Sequence, residues 1–121
     1  MVVEDDLSLQ RLYEMMLKTF GFEVCSIASN GKEAIDIYES LPIKPDVILM
    51  DHRMPVKNGI DATLEILKIE SDCKVIFTSA DNSIKKKALE IGAISFISKP
   101  FNVQQLHEEI KRVTSMEKAS I

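Results

Sequence analysis

The sequence predicts an α/β fold: a doubly wound (βα)5 domain with a five-stranded parallel sheet and helices on both faces. Three observations carry this. Short apolar runs alternate with stretches of helical periodicity five times over, which is the pattern of right-handed βα crossovers around a parallel sheet. The run Val47-Ile48-Leu49-Met50 is continuously apolar and leads straight into Asp51, as expected of a strand buried on both faces. Pro55 follows four positions after Asp51; it cannot donate to a ladder, so the strand ends before it. For five strands the natural doubly wound order is 2-1-3-4-5.

The elements follow in order. Met1-Val2-Val3 is a brief first strand that stops at Glu4-Asp5-Asp6. Leu9, Leu12, Tyr13, Met16, Leu17 and Phe20 recur at helical spacing and predict the core face of a first helix closed by Gly21. Phe22 to Ile27 is β-prone. Asn30-Gly31 opens a second helix carrying Ala34, Ile35, Tyr38 and Leu41, which Pro42 and Pro45 close. The third strand spans roughly Asp46 to Asp51, and Asn58-Gly59 leads into a third helix with Ile60, Thr63, Leu64 and Leu67. Lys74 to Ser79 is the fourth strand, and Ile84, Ala88, Leu89 and Ile91 mark a short fourth helix ending at Gly92. Ala93 to Ser98 is the fifth strand, and Val103, Leu106, Ile110 and Val113 mark the last helix. Thr114 to Ile121 turns polar and is expected to fray. The expected division is one domain over 1–117 and a polar tail over 118–121.

With 121 residues there is room for one compact domain. Apolar residues make up 45% and charged residues 28%, so a core can form beneath a charged surface. The net charge of −4 argues against general nucleic-acid binding. No apolar run approaches the roughly 20 residues of a membrane helix, and an N-terminus acidic within four residues does not read as a signal peptide. The expected setting is cytoplasmic, with no direct nucleic-acid or membrane partner. Cys25 and Cys73 each lie in an apolar stretch and read as buried free thiols. His107 reads as a surface residue, Lys85-Lys86-Lys87 as a solvated helix face, and Met15 and Met16 as fillers of helix faces.

Open α/β sheets place their chemistry at the carboxyl ends of the strands. In this chain that edge receives Glu4-Asp5-Asp6, Asp51, Thr78-Ser79 and Lys99-Pro100. Crowded carboxylates repel one another. A hard divalent cation such as Mg²⁺ offsets that repulsion, while a lysine and a hydroxyl across the crevice can hold the oxygens of a bound phosphoryl group.

These residues resemble the receiver domain of two-component response regulators, a flavodoxin-like fold of the chemotaxis type, over essentially the whole chain. The matching marks are Val2-Val3-Glu4-Asp5-Asp6, Asp51 with Met54-Pro55 and Asn58-Gly59, Ser79-Ala80, Gly92-Ala93 and Lys99-Pro100-Phe101. The resemblance implies that Asp51 accepts a phosphoryl group from a sensor histidine kinase or phosphotransfer protein. It implies Mg²⁺, with Mn²⁺ as a substitute, held by Glu4, Asp5, Asp51 and the backbone carbonyl of Arg53. Ser79 matches the hydroxyl that binds the phosphoryl group and Lys99 the lysine that pairs with its oxygen. The Lys99–Pro100 bond is expected to be cis. Phe96 matches an aromatic switch residue. The fourth helix, fifth strand and last helix would form the face that engages a downstream protein target.

Some alternatives stay open at this level. Asp6 replaces one acid of the pair if the register slips by one, and Thr78 competes with Ser79 for the hydroxyl, although counting back from Ala80 favours Ser79. The interval from Ser79 to Gly92 is about two residues shorter than is usual in the family, so the loop before the fourth helix, or the helix itself, departs from the pattern. The resemblance implies that the position of Arg53 helps set the lifetime of the phosphoryl group. Arg53 also stands where an aspartyl-phosphate phosphatase would carry its general acid, so the chain is expected not to be an enzyme. A flavin site would want a glycine- and hydroxyl-rich loop where Glu4-Asp5-Asp6 stands. The remaining alternative is a degenerate receiver, a docking scaffold independent of phosphorylation. All the acids, the phosphoacceptor and the lysine are nevertheless present, and the sequence fits either a stand-alone receiver or one domain of a longer protein.

Overall fold

Side chains alternate across a strand with a period of two, and in the central strands of this protein both parities are apolar. The computed structural model describes residues 1–116. It contains β1 (Val2–Val3), α1 (Leu7–Thr19), β2 (Ile27–Ala28), α2 (Gly31–Ser40), β3 (Val47–Asp51), α3 (Gly59–Ile69), β4 (Lys74–Ser79), α4 (Lys85–Glu90), β5 (Ser95–Ser98) and α5 (Val103–Thr114). A 3₁₀ turn at Asn82–Ile84 precedes α4. The strands pair in parallel in the order β2-β1-β3-β4-β5, the expected topology.

One parity of the sheet, with Val3, Ile48, Met50, Val75 and Phe77, packs against Ala34 and Tyr38 of α2, Ala62 and Ile66 of α3 and Ala88 of α4. The other parity, with Val2, Leu49 and Ile76, packs against Tyr13 and Leu17 of α1 and Leu106, Ile110 and Val113 of α5. Each fully buried aliphatic side chain in these layers contributes roughly 1.5–3 kcal/mol relative to exposure. Burial on both faces leaves the sheet edge at the strands' carboxyl ends as the place where polar groups collect.

Four of the five helices start on a side-chain cap, which satisfies amides the helix leaves orphaned. Asp6 accepts from the Leu9 amide at 3.0 Å, Asn30 from Glu33 at 2.8 Å and Asn58 from Asp61 at 2.9 Å. Asn102 and Gln105 form a reciprocal capping box. Helix α4 has no side-chain cap.

Several boundaries and core positions differ from expectation. β2 is Ile27–Ala28 rather than Phe22 to Ile27. It is an edge strand whose sole neighbour, β1, has two residues, so the ladder cannot lengthen. β5 begins at Ser95 rather than Ala93 because the Ala93 amide still donates to Ala88 O at 3.1 Å, closing the end of α4. Gly92, with φ +115°, makes that exit. Leu12, Met15, Leu64 and Leu89 are exposed rather than core, a position that an edge of an amphipathic stripe allows. Cys25 is exposed and Cys73 half-buried; the β-prone segment around Cys25 does not join the ladder that would have covered it. His107 is half-buried, with its ring stacked on Phe20 at a centroid distance of 3.8 Å. Thr114 is the last helical residue of α5, and the tail over 118–121 lies outside the described residues.

Candidate functional site

Register brings the polar strand ends together. Val3 pairs with Met50, so Glu4 emerges beside Asp51. Asp51 pairs with Thr78, and Ser79 with Ser98, so the hydroxyls and Lys99 reach the same edge. The Lys99 amide donates to Ser79 O at 2.9 Å, and the Lys99–Pro100 bond is cis, as expected.

At the centre, the Lys99 ammonium bridges two buried carboxylates. It donates to Glu4 Oε1 at 2.8 Å and to Asp51 Oδ1 at 3.2 Å. Glu4 is 2% exposed and Asp51 7%. Burial alone would depress the Lys99 amine; the Glu4 hydrogen bond and the Asp51 charge outweigh it and hold the amine above its usual range. Burial pushes the Glu4 carboxyl up, and the Lys99 and Asp6 hydrogen bonds only partly oppose it.

The surrounding backbone is held in place. The buried Gln10 amide donates to Glu4 O at 2.5 Å and to Ser29 Oγ at 3.2 Å. Gly59 packs on the Asp51 backbone so closely that a Cβ there would lie 2.2 Å from Asp51 O, and its amide donates to His52 O at 3.0 Å. Between them, Val56 has φ 69°, an uncommon conformation for a β-branched residue. The Lys57 amide closes a three-residue turn on Pro55 O at 2.7 Å.

The strand ends open onto a cleft of about 570 Å³, whose walls include Glu4, Asp5, Asp51, Arg53, Ser79 and Lys99. Thr78 is buried and not part of the wall, whereas Ser79 is. One carboxylate oxygen from each of Glu4, Asp5 and Asp51 lies within 4.8 Å of the others. This all-oxygen set fits a hard divalent cation such as Mg²⁺. Asp6 is not in that set, since its side chain is committed to capping α1. Phe96 is half-buried, paired in register with Phe77 and packed on the α2, α3 and α4 side of the core.

Three residues at this edge were missed by sequence reasoning. Gln10 carried no signal beyond a polar position on a helix. Gly59 reads from the sequence as a helix start and a family mark, with no signal of its close approach to the Asp51 backbone. Asp81, whose spacing ahead of the fourth helix suits a cap, accepts from the Arg53 guanidinium at 2.9 Å, and its own amide donates to Ser79 Oγ at 3.0 Å. The Ser83 hydroxyl and then Arg53 hold the Asp81 carboxyl down at about 2.

Comparison with known proteins gives a consistent result. The family model for the response regulator receiver domain matches residues 1–111. A chemotaxis protein CheY from Thermotoga maritima is 36% identical over 116 residues, covering 94% of this chain and 95% of that protein. Among solved structures, the CheX-CheY-BeF3-Mg complex from Borrelia burgdorferi superposes with TM-score 0.90 at 25% identity, over 95% of this chain and 87% of that one. The response regulator TrrA from Thermotoga maritima, in complex with Mg-BeF, superposes with TM-score 0.84 at 28% identity, over 93% and 95%.

Proposed function

Given that this chain belongs to the response regulator receiver domain family, we propose that it is a phosphorylation-controlled switch of a two-component phosphorelay with Asp51 as phosphoacceptor. The observation that carries this reading is the Lys99 ammonium joining Glu4 and Asp51 in a cleft that Ser79 also lines. An Asp51 oxygen attacks the phosphorus of a phosphohistidine on a sensor kinase or phosphotransfer protein. The P–O bond forms as the P–N bond breaks, and the imidazole nitrogen leaves with the electron pair. Lys99 stays protonated throughout, because its two carboxylate partners hold its amine above its usual range, and it pairs with a phosphoryl oxygen. The Ser79 hydroxyl, at present accepting from the Asp81 amide, donates to another.

Glu4, Asp5, Asp51 and the Arg53 carbonyl would hold Mg²⁺, or Mn²⁺ in its place, which would supply positive charge against the transferring phosphoryl oxygens. Phe96, paired with Phe77 two register positions before the Ser79–Ser98 pair, follows the movement of Ser79. The surface of α4, β5 and α5 then changes its affinity for a downstream protein. The receiver occupies 1–117, with 118–121 as a tail, and works in the cytoplasm. No helix among the described residues is long and apolar enough to cross a membrane.

Incubation with acetyl phosphate and Mg²⁺ tests this. Intact mass should rise by one phosphoryl group in the wild type and stay unchanged in Asp51→Asn. Equal labelling of both proteins identifies a different acceptor.

A further inference from the structure

Two cations, Arg53 and Lys99, stand on the wall of the cleft, and they are engaged differently. Lys99 is half-buried and committed to Glu4 and Asp51. Arg53 is mostly exposed and, among the described residues, engaged across the cleft mouth by Asp81 alone, through one guanidinium nitrogen. The other Asp81 carboxylate oxygen accepts from the Ser83 amide at 2.9 Å and the Ser83 hydroxyl at 2.5 Å, capping the 3₁₀ turn. Asn82 of that turn accepts from the Ser98 hydroxyl of β5 at 2.7 Å. The Asp81 amide is held by Ser79. Asp81 therefore joins the cleft mouth, the Ser79 hydroxyl and the turn leading into α4.

We propose that Asp81 is a positioning residue that parks the Arg53 guanidinium across the cleft mouth at rest and surrenders it to the phosphoryl group on Asp51, and that its release loosens the 3₁₀ turn ahead of α4. This rests on the reading of Asp51 as phosphoacceptor. The physical reason is a change in competition for one fork-shaped donor. At rest Lys99 already offsets Asp51, so the Asp81 carboxylate is the better partner for Arg53. A phosphoryl group brings a charge of about −1.5 to −2 and three acceptor oxygens, and guanidinium binds such a group through two parallel hydrogen bonds. Asp81 offers Arg53 one oxygen, since its other oxygen is occupied by Ser83. Transfer of Arg53 and departure of the Ser79 hydroxyl act on Asp81 together: one removes its side-chain partner and the other its backbone partner.

The test is a titration with beryllofluoride and Mg²⁺, followed by amide NMR and by hydrogen exchange over the 3₁₀ turn and α4. Asp81→Asn keeps the cap acceptor but weakens the hold on Arg53, so it should raise beryllofluoride affinity about two- to fivefold, in line with an exposed ion pair. Arg53→Ala should lower it, and Asp81→Asn should add nothing in the Arg53→Ala background. Asp81→Glu should return affinity toward wild type. Exchange at Ser83 and Ile84 should speed up when wild type binds beryllofluoride, and should already be faster in unliganded Asp81→Asn. The proposal is overturned if Asp81→Asn leaves affinity unchanged or lower, or if its gain persists without Arg53. Failure of the parent reading looks different: Asp51→Asn would then bind beryllofluoride as well as wild type, whatever the Asp81 variants do.

Discussion

The two sides of the sheet's carboxyl edge are built differently. On the β1–β3 side, each neighbouring helix begins on a side-chain cap: Asp6, Asn30 and Asn58. The turn after Asp51 is packed so closely that Gly59 touches the Asp51 backbone. On the β4–β5 side, a 3₁₀ turn leads into a six-residue α4 with no side-chain cap. Lys85, Lys86 and Lys87 crowd its first turn, at the positive end of the helix dipole. They are exposed, and Lys86 has an ion-pair partner at 4.0 Å, Glu90. One side holds a carboxylate in fixed geometry; on the other, α5 opens on a capping box, but α4 combines locally unfavourable choices, a mark of an element with a second state to visit.

The largest expected effect comes from breaking the rigid side. In Gly59→Ala the new methyl would meet Asp51 O at 2.2 Å and His52 Cα at 3.0 Å, both backbone atoms. Denaturant unfolding should show a loss of about 1–3 kcal/mol, the range for overpacking. Phosphorylation by acetyl phosphate should slow further than that loss implies, because Asp51 itself is displaced. A variant that labels at the wild-type rate would mean that the Asp51 position tolerates a backbone shift, and the contrast between the two sides would collapse.

Next come the helix starts. Asn58→Ala removes the acceptor for the Asp61 amide and should cost about 1 kcal/mol of global stability. Lys85→Glu reverses a charge at the uncapped start of α4 and should instead stabilise it, by about 0.3–1 kcal/mol, read as slower amide exchange within α4. If Lys85→Glu leaves exchange unchanged, the weakness of α4 lies in its packing rather than in its end charges.

How much of this was legible in the sequence follows from the range of the forces involved. The order of elements and the sheet topology were readable because periodicity and turn chemistry are local. Glu4, Asp5, Asp51, Ser79 and Lys99 were readable because each stands at or just past the carboxyl end of a strand-like stretch, and the topology carries them to one edge. The Gln10–Ser29 contact and the Arg53–Asp81 pair were not, since partners far apart in the chain meet only through loop paths that no local pattern encodes. The exposure of Cys25 and the brevity of β2 share one cause: a two-residue β1 cannot pair a longer neighbour. Between Ser79 and Gly92 the sequence offered only a length, and the 3₁₀ turn at Asn82–Ile84 that occupies part of that interval was not legible in it.

The smallest expected effect tests whether the weakness of the β4–β5 side extends to α5. Glu109 of α5 accepts from the Ser95 hydroxyl of β5 at 2.6 Å and from Arg112, so it ties helix to edge strand. Arg112 first, and Ser95 to a lesser degree, hold its carboxyl below its ordinary value of 4.5. A carboxyl depressed in the folded state contributes stability that is present above the unfolded value and is lost as pH falls through the folded one. Glu109→Gln should therefore be slightly less stable than wild type at neutral pH, and the gap should narrow as pH drops below about 4.5. The gain is small because Arg112 is half exposed and solvent screens the pair. Paired thermal melts from pH 7 to pH 3 read this directly. A constant gap would assign the contribution to neutral hydrogen bonding with Ser95, whereas a closing gap would make the α5–β5 tie electrostatic, leaving α4 as the one loosely held element of that side.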